Sequence, residues 1–133
     1  MTTITVINAG SGDLDDLVTS VAGLFEEDAG RNDPTMDLTW PVREGPTYYS
    51  GLLNDPTCLL LLARAGEMDG DSTVGHLVGK LSERDAIRTV RVAVLESLRV
   101  APHARGQGVG SQLVDTFLDW ARTNGAVRAS VTA

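Results

Sequence analysis

The residues best suited to chemistry stand together at positions 105–111, which read Arg-Gly-Gln-Gly-Val-Gly-Ser. This segment lies between a predicted strand and a predicted helix, a junction that presents unpaired backbone N–H groups and the positive end of a helix dipole. Glycines let the backbone approach an anion closely, and Arg105 can add a charge-assisted contact. The pattern therefore predicts a phosphate-binding loop.

Two common phosphate-binding loops do not fit this segment. A Walker loop ends in Gly-Lys-Ser or Gly-Lys-Thr, and the segment contains no lysine. The dinucleotide fingerprint G-x-G-x-x-G requires a third glycine where this sequence has Ser111 or Leu113, depending on which glycine starts the pattern. A glycine-rich turn that only begins a helix remains the alternative explanation.

The surrounding elements must position this loop. Hydrophobic periodicity predicts strands over residues 4–7, 57–65, 73–82, 89–100 and 127–132, with helices from Asp13 to Leu24, over 46–53 and from Val109 to Arg122. The polar stretch 30–45 is predicted to be a loop. Strands paired as hairpins and then a strand–helix–strand unit predict an α/β (α+β) domain, with a mixed, mostly antiparallel sheet flanked by helices.

Composition narrows the class of protein. The chain has 133 residues, 42% of them apolar, which suits one globular domain. The formal net charge of −7 argues against nucleic acid as a partner, because phosphate binding needs concentrated Lys and Arg. The same charge suits a cationic substrate, although solubility alone explains it equally well.

Cysteine usage and hydropathy predict a cytoplasmic location. Cys58 is the only cysteine, so no intrachain disulfide can form and a reducing compartment fits best. The first residues lack the basic and apolar regions of a signal peptide. The longest apolar run is too short to cross a membrane, and we expect no membrane partner.

The pattern Leu98-x-Val100-x-Pro102-x-x-Arg105-x-x-Gly108-x-Gly110 resembles the acyl-CoA signature of the GNAT N-acetyltransferase superfamily, Arg/Gln-x-x-Gly-x-Gly/Ala. The order of the predicted elements also resembles the amino-terminal two-thirds or more of that fold. The resemblance implies that residues 1–133 form a single GNAT-like N-acetyltransferase domain.

The resemblance further implies an enzyme that uses acetyl-CoA as co-substrate and needs no metal. An amine, either a small molecule or a peptide, would attack the acetyl carbonyl directly, so that catalysis depends on positioning and on stabilising developing charge. Homodimers are common in this superfamily, so the resemblance also makes a homodimer one possible oligomeric state of this protein. The implied acetyl-CoA contacts fall on the fourth strand and the loop, at Leu98, Arg99, Val100, Arg105, Gly106, Gln107, Gly108, Val109, Gly110 and Ser111.

Glu96 is the candidate catalytic base that the resemblance suggests, since some relatives place a proposed base at the matching position. Strand alternation puts Glu96 in a row with Val92, Val94, Leu98 and Val100. A carboxylate in such an apolar row would be partly desolvated, which suits a general base. A purely structural carboxylate is the alternative.

Other polar and aromatic residues near the predicted acceptor region have weaker signals. His76 is expected to be a strand residue with a hydrogen-bonded ring, and His103 an exposed loop residue. Aromatic and acidic residues of this region could attract a cationic amine. The aromatic residues are Trp40, Tyr48 and Tyr49, and the acidic residues are Glu26, Glu27, Asp28, Asp33 and Asp37. A solvated acidic surface explains the acidic residues equally well.

The sequence departs from the family pattern at its carboxyl-terminal end. Relatives continue after the fifth strand with a helix, a tyrosine that commonly protonates the departing thiolate, and two more strands. The expectation is a carboxyl-terminally incomplete domain, with truncation favoured over a partner that supplies the missing part and over a naturally short form. A non-catalytic acyl-CoA-binding or sensing module is therefore the alternative function.

Overall fold

The computed structural model describes residues 3–31, 33–66, 72–82 and 90–131. Its strands are β1 (Ile4–Asn8), β2 (Cys58–Ala65), β3 (Ser72–Leu81), β4 (Arg91–Val100) and β5 (Ala126–Val131). They form one sheet in the order β1-β2-β3-β4-β5. The first four strands pair antiparallel, and β5 runs parallel to β4. The predicted mixed, mostly antiparallel sheet is confirmed.

Helices cover both faces of this sheet. The helices are α1 (Leu14–Arg31), α2 (Trp40–Leu52) and α3 (Val109–Thr123). The buried side chains of α3 recur every four residues, at Val109, Leu113, Phe117 and Ala121, as expected for one apolar helix face. They pack on the side of β2 that carries Leu59 and Leu61, whereas α1 and α2 pack on the side of Leu60 and Leu62. None of the described helices is long and apolar enough to span a membrane.

Two helices extend beyond their predicted bounds. Helix α2 begins at Trp40, so the prediction of a loop up to Gly45 is wrong for its last six residues. Pro41 lies in the first helical turn, where a missing N–H costs little, and Pro46 lies inside the helix rather than at its start. Helix α1 continues to Arg31. Most of the turn predicted from Gly66 to Ser72, and all of the turn predicted around Asp85, lie outside the described residues.

Strand β4 contains a β-bulge at Glu96. Val78 of β3 pairs with Ser97, but the next residue, Gly79, pairs with Leu95, so that Glu96 is the extra residue. A Cβ atom at Gly79 would lie 2.7 Å from ring carbons of Phe117. The absence of a side chain at Gly79 therefore lets α3 approach the sheet beside the bulge.

The bulge changes which side chains share a face. Ala93 and Leu95 belong to the core beneath α3, and Leu98 and Val100 pack against that same core. The predicted row of Val92, Val94, Glu96, Leu98 and Val100 on one face is therefore wrong. One extra residue reverses the alternation of a strand, so Glu96 and Ser97 both lie on the α1 side while Leu98 returns to the α3 side.

Candidate functional site

The loop before α3 has the backbone shape of an anion cradle. Gly106 has φ of 81° and Gly108 has φ of 82°, values in the left-handed region that favours glycine. A Cβ atom at either position would meet nothing within 4 Å. The protein therefore leaves the space above both glycines open to a ligand.

The amino-terminal end of α3 supplies hydrogen-bond donors to this space. Gly108 is the N-cap residue and has no side chain to cap the helix. The helical hydrogen bonds start with Gln112, whose N–H donates to the carbonyl of Gly108 at 3.1 Å. The preceding N–H groups are outside the helical ladder and lie at the positive end of the helix dipole, at Val109, Gly110 and Ser111. This arrangement suits a phosphate or diphosphate.

Within the part of the chain that the structure describes, the last residues of β4 have no strand paired along the edge that faces away from β3. Pairing between β4 and β5 ends at Leu95 and Val131, the last described residue of β5. On the other side, Ala101 donates its N–H to the carbonyl of Val74 at 2.8 Å. Because alternate residues of a strand direct their backbone groups to opposite edges, Leu98 and Val100 direct theirs away from β3.

Two arginines near the loop share one carboxylate. Glu27 of α1 accepts hydrogen bonds from Arg99 Nε at 3.1 Å and from Arg105 Nη2 at 3.0 Å. Arg105 also donates from Nε to the Val100 carbonyl at 3.1 Å. Partial burial would raise the pKa of Glu27, but the hydrogen bond and charge of Arg99, together with those of Arg105, outweigh it and hold the pKa below its ordinary value.

A cavity of about 460 Å³ opens beside Glu96 and Ser97, between α1, α2 and the sheet. Phe25 and Trp40 stack with ring centroids 5.9 Å apart, and Trp40 meets Tyr49 edge-on at 6.2 Å. The carboxylates of Asp28 and Glu96 also line the cavity. Aromatic rings and carboxylates together suit a cationic amine.

Glu96 lies in a different environment from the one predicted. Its side chain is exposed, so the expectation of a partly desolvated carboxylate in an apolar row is wrong. Its neighbour across the cavity, Tyr49, is buried. Burial, with smaller contributions from Tyr48 and Glu96, raises the pKa of Tyr49 to about 12, so the phenol stays protonated at neutral pH.

The acidic residues singled out in the sequence separate into different environments. Asp28 lines the cavity, whereas Glu27 binds the two arginines. Asp33 and Asp37 accept local hydrogen bonds from Thr35 and Thr39. Those local hydrogen bonds explain the positions of both carboxylates without a role in binding an amine substrate. Within the described ranges, no group of three or more His, Cys, Asp or Glu side chains could hold a metal ion.

His76 is a buried structural residue, as expected for a ring with satisfied hydrogen bonds. Its Nδ1 lies 2.6 Å from Ser20 Oγ of α1, and its Nε2 lies 2.7 Å from Ser97 Oγ of β4. The side chain is fully buried. Burial, with a smaller contribution from the Arg99 charge, lowers the pKa of His76 to about 3. His103 is exposed.

We expect His76 to make the protein less stable as the pH falls from 6.5, its ordinary pKa, towards about 3. In this window the unfolded chain binds more protons than the folded chain, so the free energy of unfolding falls with decreasing pH, by up to about 1.4 kcal/mol per pH unit. Urea unfolding at several pH values gives the free energy of unfolding as a function of pH. Between about pH 3 and 6.5 this free energy should depend less steeply on pH for His76→Gln than for the wild-type protein. The same pH dependence in His76→Gln and wild type would contradict the prediction. His103→Gln is the matched control, and its pH dependence should equal that of the wild-type protein.

The sheet with its bulged fourth strand, the glycine loop and the helix that follows define the acyl-CoA N-acyltransferase fold. The chain belongs to the Acetyltransferase (GNAT) family, whose sequence model matches residues 24–133. The resemblance drawn from the loop motif is thereby confirmed. Comparison with curated proteins finds no match.

Solved structures of similar fold include proteins with different descriptions. A transcriptional regulator from Bacillus halodurans C-125 is 26% identical, with a TM-score of 0.73 over 98% of this chain and 82% of that chain. The aminoglycoside N-acetyltransferase AAC(6')-Iy in complex with CoA is 16% identical, with a TM-score of 0.75 over 100% and 78% of the two chains. The aminoglycoside 6'-N-acetyltransferase AAC(6')-Ih from Acinetobacter baumannii is 19% identical, with a TM-score of 0.73 over 98% and 80%.

Proposed function

We propose that this protein transfers an acetyl group from acetyl-CoA to a primary amine, which attacks directly while both substrates are bound. The observation that carries the proposal is the left-handed Gly108 at the start of α3, above which the protein leaves open space. The amine cavity lies on the other side of the bulged strand. A diphosphate site and an amine site therefore flank the same stretch of β4.

Acetyl-CoA fits the residues around the loop. Bound there, it would supply a thioester carbonyl that is open to attack by an amine. The N–H groups of residues 109–111 hold the pyrophosphate, and the backbone groups of Leu98 and the N–H of Val100 hydrogen-bond the pantetheine arm, since the Val100 carbonyl already accepts from Arg105. Gly106 and Gln107 complete the loop, and Arg105 contributes the positive charge.

The acceptor is a small-molecule amine that enters the cavity beside Glu96. Trp40 and Tyr49 stabilise its cationic form, and Asp28 adds a compensating charge. Glu96 removes one proton from the ammonium group, directly or through a water molecule, so that the nitrogen lone pair can attack the acetyl carbonyl carbon. The new C–N bond replaces the C–S bond of the thioester, and the departing CoA thiolate takes up the second proton lost by the nitrogen. The aminoglycoside acetyltransferases of similar fold, one of them in complex with sisomicin, are compatible with a small-molecule amine acceptor.

The alternative is a non-catalytic acyl-CoA-binding or sensing module. The exposure of Glu96 favours this alternative, because an exposed carboxylate is ordinary on a protein surface and needs no catalytic role. The similar structure described as a transcriptional regulator is compatible with it. Both functions require the same acetyl-CoA site, so the two differ only in whether the acetyl group is transferred.

Acetyl transfer to a panel of amines separates the two functions. The protein is incubated with acetyl-CoA and a diamine, sisomicin, an amino acid or a lysine peptide, and the products are identified by mass spectrometry. Mass detection is preferred to a thiol reagent because Cys58 is itself a free thiol. Acetylated amine that increases with time supports the enzyme, whereas acetyl-CoA binding without any acetylated amine supports the module.

A further inference from the structure

The only arginine or lysine between positions 101 and 111 is Arg105, and its charge is already paired. Its Nη2 lies 3.0 Å from Glu27 Oε2, and its Nε donates to the carbonyl of Val100 at 3.1 Å. A pyrophosphate at the loop would therefore meet a guanidinium that is already bonded to a carboxylate. Glu27 shares its single negative charge with Arg99, and the Arg105 side chain is 46% exposed, so Arg105 keeps part of its charge for a ligand.

Glu27 is held in place by a second arginine. Its other oxygen accepts a hydrogen bond from Arg99 Nε at 3.1 Å. The guanidinium of Arg99 packs directly against α1 at Gly23. A Cβ atom at Gly23 would lie 2.5 Å from Arg99 Cζ, so a side chain there would displace the guanidinium. The side chains of Glu27 and Arg99 are only 24% and 18% exposed, so this pair is less screened by solvent than a surface ion pair.

We propose that Glu27 competes with the pyrophosphate of acetyl-CoA for Arg105, which limits the affinity of the site and speeds the release of CoA. The proposal rests on the proposed function. When the diphosphate binds, Arg105 exchanges the carboxylate of Glu27 for the phosphate oxygens. The negative charge of the diphosphate then lies close to that of Glu27, and the two repel each other. Arg99 remains bonded to Glu27 during the exchange, so the carboxylate is not left without a partner.

Glu27→Gln tests the competition, because glutamine has the same shape but lacks the charge. We expect this variant to bind acetyl-CoA about 3- to 10-fold more tightly, with most of the gain in a slower dissociation rate. Calorimetry measures the affinity, and stopped-flow displacement of acetyl-CoA by excess CoA measures the rate. Glu26→Gln is the matched control, since it removes the same charge from the exposed preceding residue, and its affinity should change less than twofold.

A double variant identifies the residue through which Glu27 acts. In an Arg105→Ala background, Glu27→Gln should change the affinity for acetyl-CoA less than twofold, as Glu26→Gln does, because the contested cation is absent and only the loss of one negative charge remains. Equal or weaker binding by Glu27→Gln in the wild-type background would overturn the competition and leave the proposed function intact. Failure of the wild-type protein itself to bind acetyl-CoA would overturn both.

Discussion

Replacement of Gly108 by valine is expected to weaken acetyl-CoA binding by at least about 100-fold, equivalent to about 2.7 kcal/mol. Gly108 has φ of 82° and begins α3. A Cβ atom there would project into open space, which is where the pyrophosphate must approach the amides of residues 109–111. The valine side chain blocks that approach and also strains the left-handed backbone. Calorimetric titration with acetyl-CoA measures the loss.

Gly125 provides a matched control for this variant. It has φ of 80°, and a Cβ atom there would also meet nothing within 4 Å, but it lies beyond the opposite end of α3. Gly125→Val therefore introduces similar strain, about 1–2 kcal/mol, with no effect on acetyl-CoA affinity. If both variants lose affinity equally, backbone strain explains the loss and the loop has no special part in binding.

Replacement of Glu96 by glutamine is expected to lower kcat by about 100- to 10,000-fold, the usual contribution of a general base. Glu96 is the carboxylate at the bulge of β4 and lines the amine cavity with Ser97 and Tyr49. The amide has a similar shape but cannot accept the proton of the amine. The affinity for acetyl-CoA should stay unchanged, since the substitution does not touch the loop. Steady-state kinetics with the best amine of the panel measures kcat.

Glu44 is the control for the loss of one carboxylate. It is exposed on α2 and does not line the cavity beside Glu96. Glu44→Gln should keep kcat within twofold of the wild-type value. A loss of kcat below about tenfold for Glu96→Gln would show that another group, or solvent, takes the proton.

The loop and its helix could be predicted from sequence because their signals are local. Glycine spacing and a single arginine marked residues 105–111, and apolar residues such as Leu113 and Phe117 recur at helical spacing. The pairing of hairpins and the final strand–helix–strand unit likewise follow from the order of periodic segments. The fold and the family were therefore accessible without coordinates.

The features that were missed depend on contacts between distant segments. The bulge at Glu96 is a feature of the pairing between β4 and β3, and Phe117 packs on Gly79 beside it. Neither contact can be read from the sequence of β4, which alternates like a regular strand. The bond between Glu27 and Arg105 joins residues 78 positions apart. Two adjacent acidic residues of α1 have different surroundings: Glu27 bonds Arg99 and Arg105, whereas Asp28 lines the cavity. Their sequence positions do not distinguish them, because the difference depends on which side of α1 faces the sheet.

The most direct test of the acetyl-CoA site is a ¹H–¹⁵N NMR titration of the ligand-free protein with acetyl-CoA. The account predicts saturable shifts, with one molecule bound, of the amide resonances of Gly106, Gly108 and Gly110, while Gly125 at the far end of α3 stays unshifted. The absence of saturable shifts, or shifts confined to residues away from β4 and the loop, would contradict it.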